Sequence, residues 1–248
     1  MALLDDLLSS VDQSASVRSV LVGAHWTVVC SAGCGMASTI LGGEGMPHGH
    51  APVREAGWLH EKTAGELCEY ARSDIPLEAG IGVAALNSLL VLPEKGPGWS
   101  IREVNAAELL ASAGKDRDIA VVGHFPFVER LSRLARSLWV IEQNPSRGDY
   151  PAERAADLLP QAAVVALTGS ALVNHTLEGL LGLCRPGALV MVLGPSTPLS
   201  PVLFDYGAAI ISGVQVFDEA AVLRTAGQGA NFRQVSGARL LSLVKDRG

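Results

Sequence analysis

Imidazole, carboxylate and hydroxyl side chains recur in this sequence just where a short apolar run ends. Gly123, His124, Phe125 and Pro126 follow the run 119–122, and Glu142 follows 138–141. Thr168, Gly169 and Ser170 follow 163–167, and Gly194, Pro195, Ser196 and Thr197 follow 188–193. A histidine titrates near neutrality, so His124 is the first choice for an acid or base. Glu142 and Asp149 are its expected partners in charge or proton transfer. Thr168, Ser196 and Thr197, with the backbone of Gly123, Gly169 and Gly194, can offer hydroxyls and N–H groups to an anion. Ordinary helix capping accounts for the same hydroxyls equally well.

Other chemistries are less well supplied. The turn Gly-His-Phe-Pro lacks the second and third glycines of a dinucleotide-binding loop. Glu142 does lie about twenty residues beyond Gly123, where a ribose-binding carboxylate usually sits. A SAM- or nucleoside-like ligand therefore stays open as an alternative. Cys30, Cys34, His48 and His50, with His60 nearby, could hold zinc. Their spacing is not that of a zinc knuckle, and Cys30 ends an apolar strand, where cysteine is often simply buried. Cys68 and Cys184 read as core residues, and His25 beside Trp26 as a packed histidine. There is no G-x-S-x-G elbow, and Cys34 has no assigned base.

The elements that must position these groups fall into two patterns. An amphipathic helix over 3–14 precedes strand-like runs at 17–22, 25–30 and 36–41, read as an antiparallel meander. Thr63 and Glu66 form a capping box for a helix over 64–72. A second helix spans 77–90, where Gly80 and Gly82 point to close packing or a ligand. The Pro- and Gly-rich stretch 93–100 reads as a linker. Beyond it, fully apolar runs alternate with helical patterns, the last runs being 209–211 and 214–217. That is the grammar of a parallel sheet covered by helices on both faces, and either common strand order fits.

Composition narrows the function. The chain has 248 residues, 48% hydrophobic and 18% charged, so a packed core is well supplied. A net charge of -6 with no run of Lys or Arg argues against nucleic acid or an anionic membrane as partner. The start lacks the basic region of a secretory signal, and no apolar run is long enough to span a bilayer. A cytoplasmic protein with four reduced cysteines is the expectation, with a homo-oligomer, such as a homodimer, as its assembly.

Five segments carry a resemblance. They are Gly80-Ile81-Gly82-Val83-Ala84-Ala85-Leu86-Asn87, Val121-Val122-Gly123-His124-Phe125-Pro126-Phe127, Gly148-Asp149-Tyr150-Pro151, residues 167–176 (LTGSALVNHT) and residues 193–199 (LGPSTPL). Together, in this order, they resemble the heavy-metal-chelation domain family, over nearly the whole chain. The resemblance implies an enolase N-terminal-like α+β domain over 1–98 and a Rossmann-like domain over 99–248, with a site between them. It also implies a role with a transition metal or metal chelate. Asn87, His124, Glu142, Asp149, Thr168, Asn174, Ser196 and Thr197 fall within its shared motifs. The Cys30/Cys34 and His48/His50 pairs lie outside them, which leaves any metal to oxygen and nitrogen groups or to a bound chelator. The resulting expectation is a protein that binds or processes a small anionic ligand, a heavy metal or metal chelate, in an interdomain cleft. Gly82 and Asn87 would face that cleft from the N-terminal side. The alternative is a transferase or lyase-type enzyme with a SAM- or nucleotide-like ligand and Glu142 on its ribose.

Overall fold

The structure, a computed structural model, describes residues 2–41, 53–92, 95–103 and 105–246. Helix α1 (Ala2–Ser9) buries Leu3, Leu4, Leu7 and Leu8, whose spacing puts them on one face. Strands β1 (Ser19–Val22), β2 (Trp26–Cys30) and β3 (Cys34–Ser38) form the antiparallel meander. Helix α2 (Ala64–Cys68) starts with the Thr63–Glu66 capping box, each side chain accepting from the other residue's backbone N–H. Helix α3 (Pro76–Leu89) is buried almost all round, with Pro76 in its first turn. Such a helix needs small residues wherever a neighbour crosses it. A Cβ on Gly82 would come 1.9 Å from the Ala71 nitrogen, and one on Gly35 would come 2.2 Å from the Ala84 oxygen. These two glycines let α3 lie directly against residues 69–72 and against β3.

The rest builds one nine-stranded sheet. Its strands are β4 (Lys95–Gly96), β5 (Trp99–Arg102), β6 (Asp118–Val122), β7 (Ser137–Glu142), β8 (Tyr150–Pro151), β9 (Val164–Thr168), β10 (Leu189–Leu193), β11 (Ile210–Val216) and β12 (Ala238–Lys245). They lie in the order β4-β5-β12-β11-β10-β9-β6-β7-β8. The run β11-β10-β9-β6-β7 is parallel throughout, which gives one of the two common doubly wound orders. The flanking helices are α4 (Ala106–Gly114), α5 (Val128–Ser132), α6 (Ala155–Leu158), α7 (Leu177–Leu183), α8 (Val202–Asp205) and α9 (Glu219–Gly227). The fold is thus mixed α/β, a small antiparallel sheet and a large, mostly parallel one flanked by helices.

Three details depart from expectation. The stretch expected as linker carries β4 and the start of β5, a hairpin on the edge of the large sheet with Trp99 buried beneath it. An edge strand tolerates the Pro and Gly residues that a central strand would not. The runs 209–211 and 214–217 belong largely to one strand, β11, which continues through Ser212 and Gly213. A Cβ on Gly213 would sit 2.6 Å from the Thr197 oxygen, so this glycine serves a close approach rather than a break. Strand β12, which the apolar runs do not reveal, pairs antiparallel with β11 along seven residue pairs.

The two sheets pack through β2, β3 and α9. Val28, Cys30 and Met36 share a buried cluster with Val222 and Ala226. Ser196, just past β10, ties the layers with hydrogen bonds. Its hydroxyl accepts from the Ser38 backbone N–H at 2.8 Å and donates to the Ser38 hydroxyl at 3.1 Å.

Candidate functional site

In a doubly wound sheet, the connections after two neighbouring strands leave in opposite directions at one point, and a crevice opens there. Here that point lies between β6 and β9, because the strand following β6 in sequence, β7, sits on its other side. Gly123 ends β6 with φ +101°, and a Cβ there would approach the Thr168 Cβ to 2.9 Å. Only glycine lets the ends of β6 and β9 close up in this way.

A cleft of about 1260 Å³ opens over these strand ends. Gly123, His124, Glu142, Thr168, Asn174 and Gly194 all line it. Trp26 and Ser38 close it from the meander, and Phe232 and Arg233 from the loop after α9. Residues far apart in sequence thus converge on one concave surface, as the strand-end rule requires.

His124 Nδ1 lies 3.9 Å from Asp149 Oδ2, its side chain 61% exposed and that of Asp149 10%. That separation is too long for a hydrogen bond and suits an ion pair once the imidazole is protonated. Asp149 is anchored, because Oδ2 also accepts from the Ser146 N–H at 3.0 Å. The Thr168 and Ser170 hydroxyls are 2.8 Å apart. Thr168 also accepts from the Ser170 N–H at 3.4 Å, which is the capping role. Both side chains nonetheless line the cleft. Asn174 is held by Thr176, whose hydroxyl donates to its Oδ1 at 2.6 Å.

Other expected residues lie behind the cleft wall. Ser196 and Thr197 are each 1% exposed and present no hydroxyl to the cleft, Ser196 because it bonds β3. Gly169 packs on Thr197, where a Cβ would meet the Thr197 hydroxyl at 2.3 Å. Gly82 does not face the cleft; its bare Cα serves the contact with Ala71. Asn87 supports β3 from behind, donating to the Met36 oxygen at 2.9 Å.

Phe125, which follows the end of β6, lines the cleft as expected of a strand-end residue; Phe127, Trp26, Phe232, Arg130 and Arg233 are lining residues that the sequence does not single out. Phe125 and Phe127 stack with ring centres 5.0 Å apart, and Trp26 meets Phe232 edge-on at 5.7 Å. The cleft therefore has flat apolar walls. Arg130 and Arg233 also line it, and neither forms a salt bridge among the described residues. The Phe-Pro-Phe run beside His124 was a visible signal, since i and i+2 aromatics past a strand end can flank one site. Arg233 carried none, because its place depends on the return of the chain through β12.

The cysteine and histidine expectations change. Cys30 and Cys34 form a disulfide, so the four cysteines are not all thiols. The two are register partners on β2 and β3, and the hairpin brings their sulfurs together. Burial pushes the Cys68 thiol up to about 12 and the Cys184 thiol up to about 11. His25 is exposed rather than packed, since the β2 hairpin turns it outward. His48 and His50 lie outside the described residues. Among the described residues, the one cluster of three metal-type ligands is Cys30, Cys34 and Glu219, none of which lines the cleft. Among the described residues, the cleft thus holds no cluster of three His, Cys, Asp or Glu ligands for a bare ion. No described helix is long and apolar enough to cross a membrane.

A family model described as "Putative heavy-metal chelation" matches residues 105–245, and a second with the same description matches residues 4–90. The chain belongs to this heavy-metal-chelation family. A solved structure from Desulfitobacterium hafniense, of unknown function and from the same family, covers 98% of both chains with TM-score 0.82 and 24% identity. A second, from Pyrococcus horikoshii, covers 97% of both chains with TM-score 0.78 and 21% identity. These likenesses show the fold of the heavy-metal-chelation family. An uncharacterized protein of Methanocaldococcus jannaschii is 28% identical over 163 residues, and the match spans 62% of that relative.

Proposed function

We propose that the protein binds or processes a small anionic ligand, an organic chelate that carries a heavy metal, in the cleft at the β6–β9 crevice. The walls come from an N-terminal domain over 1–98, whose last strand, β4, joins the large sheet, and a C-terminal domain over 99–248. The observation that carries this reading is the pairing of two arginines that form no salt bridge among the described residues, Arg130 and Arg233, with the absence of a cluster of three metal-type ligands in the cleft among those residues; of the two carboxylates that share the lining, Glu103 is paired with Arg239, which leaves Glu142. The arginines attract an anion, and the metal enters as cargo with its own ligands rather than bound by the protein. The aromatic walls bury the organic part, and the Thr168 and Ser170 hydroxyls bond its oxygens. His124, positioned beside Asp149, is the group that can exchange a proton with the ligand.

The test uses oxidised protein stripped with a chelator. Its melting temperature is measured with ferric citrate, with citrate, and with a panel of metal chlorides. A ligand at ~100 times its Kd adds about 2.7 kcal/mol. An upward shift with the metal complex, lost on changing Arg130 and Arg233 to Ala, supports the proposal. An equal shift with the bare metal salts would overturn it.

One observation favours a second reading. Glu142 is half-buried in the cleft at the end of β7, where a ribose-binding carboxylate sits in doubly wound enzymes. This reading, a transferase or lyase with a SAM- or nucleotide-like ligand, requires that Glu142→Ala abolish S-adenosylmethionine binding measured by calorimetry.

A further inference from the structure

The disulfide lies away from the cleft, at the opposite ends of β2 and β3 from Trp26 and Ser38. Four residues of extended chain separate Trp26 from Cys30, roughly 13 Å. Glu219, at the start of α9, reaches the same spot. One ligand atom from each of Cys30, Cys34 and Glu219 lies within 4.8 Å of the others. Tetrahedral zinc holds thiolates at about 2.3 Å, which sets two sulfurs about 3.8 Å apart. The three side chains can therefore converge on one ion without moving the backbone far.

We propose that Cys30, Cys34 and Glu219 form a redox-gated site for a soft divalent metal such as Zn2+ or Cd2+, closed while the disulfide stands and opened by its reduction.

The surroundings fit such a site. Cys30 is fully buried among Val28, Met36, Val222 and Ala226, which keeps bulk water away. Cys34 is half-buried, and Ala32 and Gly33 beside it are exposed, so a reductant can reach the bond at the hairpin tip. Arg18 orients the carboxylate through an ion pair of 2.6 Å, and its backbone N–H donates to the Cys30 oxygen at 2.7 Å. Two thiolates select soft or borderline metals over Mg2+ or Ca2+. The protein supplies three ligands, which leaves one position to water or to an exogenous ligand. The opening step balances as a thiol–disulfide exchange. A dithiol reductant gives two electrons and two protons, becomes a cyclic disulfide, and leaves Cys30 and Cys34 as thiols. The metal then displaces the two thiol protons to solvent and binds the thiolates.

The test compares oxidised protein with protein reduced by dithiothreitol and desalted without oxygen. Each is titrated with CdCl2, and the thiolate-to-cadmium charge-transfer absorbance is followed. The expected result is one equivalent bound by the reduced protein and none by the oxidised protein. C30S and C34S each remove the band. E219Q keeps the band and weakens binding at least about 10-fold, the loss that even outer partners of a metal site produce. The C30S/C34S double variant retains Cys68 and Cys184 and controls for them. Equal absorbance in that variant, equal binding by the oxidised protein, or no band in the reduced wild type would overturn the proposal. A circular dichroism spectrum of each variant matching wild type shows that the loss is not unfolding. Because the probe is bare cadmium and the variants lie outside the cleft, the outcome is separable from that of the chelate proposal.

Discussion

Replacing Ser196 with Ala removes the bond that joins the loop after β10 to β3. Ser196 is 1% exposed, and its hydroxyl accepts from the Ser38 N–H at 2.8 Å while donating to the Ser38 hydroxyl at 3.1 Å. The variant leaves the partly buried Ser38 N–H without its acceptor, which costs about 1–3 kcal/mol. Ser38→Ala removes only the second, longer bond and leaves the N–H paired, so it costs about 0.5–1.5 kcal/mol. The double variant lacks both, and its cost falls short of the sum because the two residues share one network. In a chain of this size a loss of about 2 kcal/mol lowers Tm by about 4–8 °C. Urea unfolding of wild type, both single variants and the double variant measures all three quantities. The reasoning is refuted if Ser196→Ala lies within about 0.5 kcal/mol of wild type, or if Ser38→Ala is the more damaging change.

Three further outcomes follow from the geometry. The Arg136 guanidinium beside Asp118 holds its carboxyl below the usual carboxylate range. Its folded value lies under its unfolded value, so the stabilisation is complete above the unfolded value and is lost as pH falls through the folded one. Melting temperature measured downward from neutral pH should therefore fall less steeply below about pH 4 in Asp118→Asn than in wild type. Native protein treated with iodoacetamide at mildly alkaline pH should label neither Cys68 nor Cys184, whose thiols burial keeps protonated, and after dithiothreitol should label the half-buried Cys34 first; peptide mass mapping reads both. Gly82→Ala forces a methyl into the Ala71 backbone, costing at least about 1–3 kcal/mol, which the urea midpoint reports.

Much of the frame is legible in the sequence because buried parallel strands have no polar alternation to hide them. The runs that become β6, β7, β9 and β10, the first two strands of the meander and the Thr63–Glu66 capping box stand where local pattern places them, while β3 begins at Cys34 and ends at Ser38 rather than spanning 36–41. Strands β5 and β12 are not visible in that way. They pair antiparallel at one side of the sheet, where Arg102, Arg239 and Lys245 interrupt the apolar pattern. The site follows the same division. His124, Glu142, Thr168 and Gly194 were found because strand ends are found, and they line one cleft. Ser196 and Thr197 follow a strand end too, but whether a hydroxyl there meets solvent or packed protein depends on tertiary contacts, for Ser196 those with the distant β3. Gly82 shows the same ambiguity, since a helical glycine serves a ligand or a crossing backbone equally well. The disulfide needed the register of β2 against β3, which spacing alone does not contain.

Native mass spectrometry of the oxidised protein with ferric citrate tests the central claim most directly. The account predicts a mass increase of one intact metal–citrate complex per chain, absent when Arg130 and Arg233 are both Ala. An increase equal to iron alone, retained in that double variant, would contradict it.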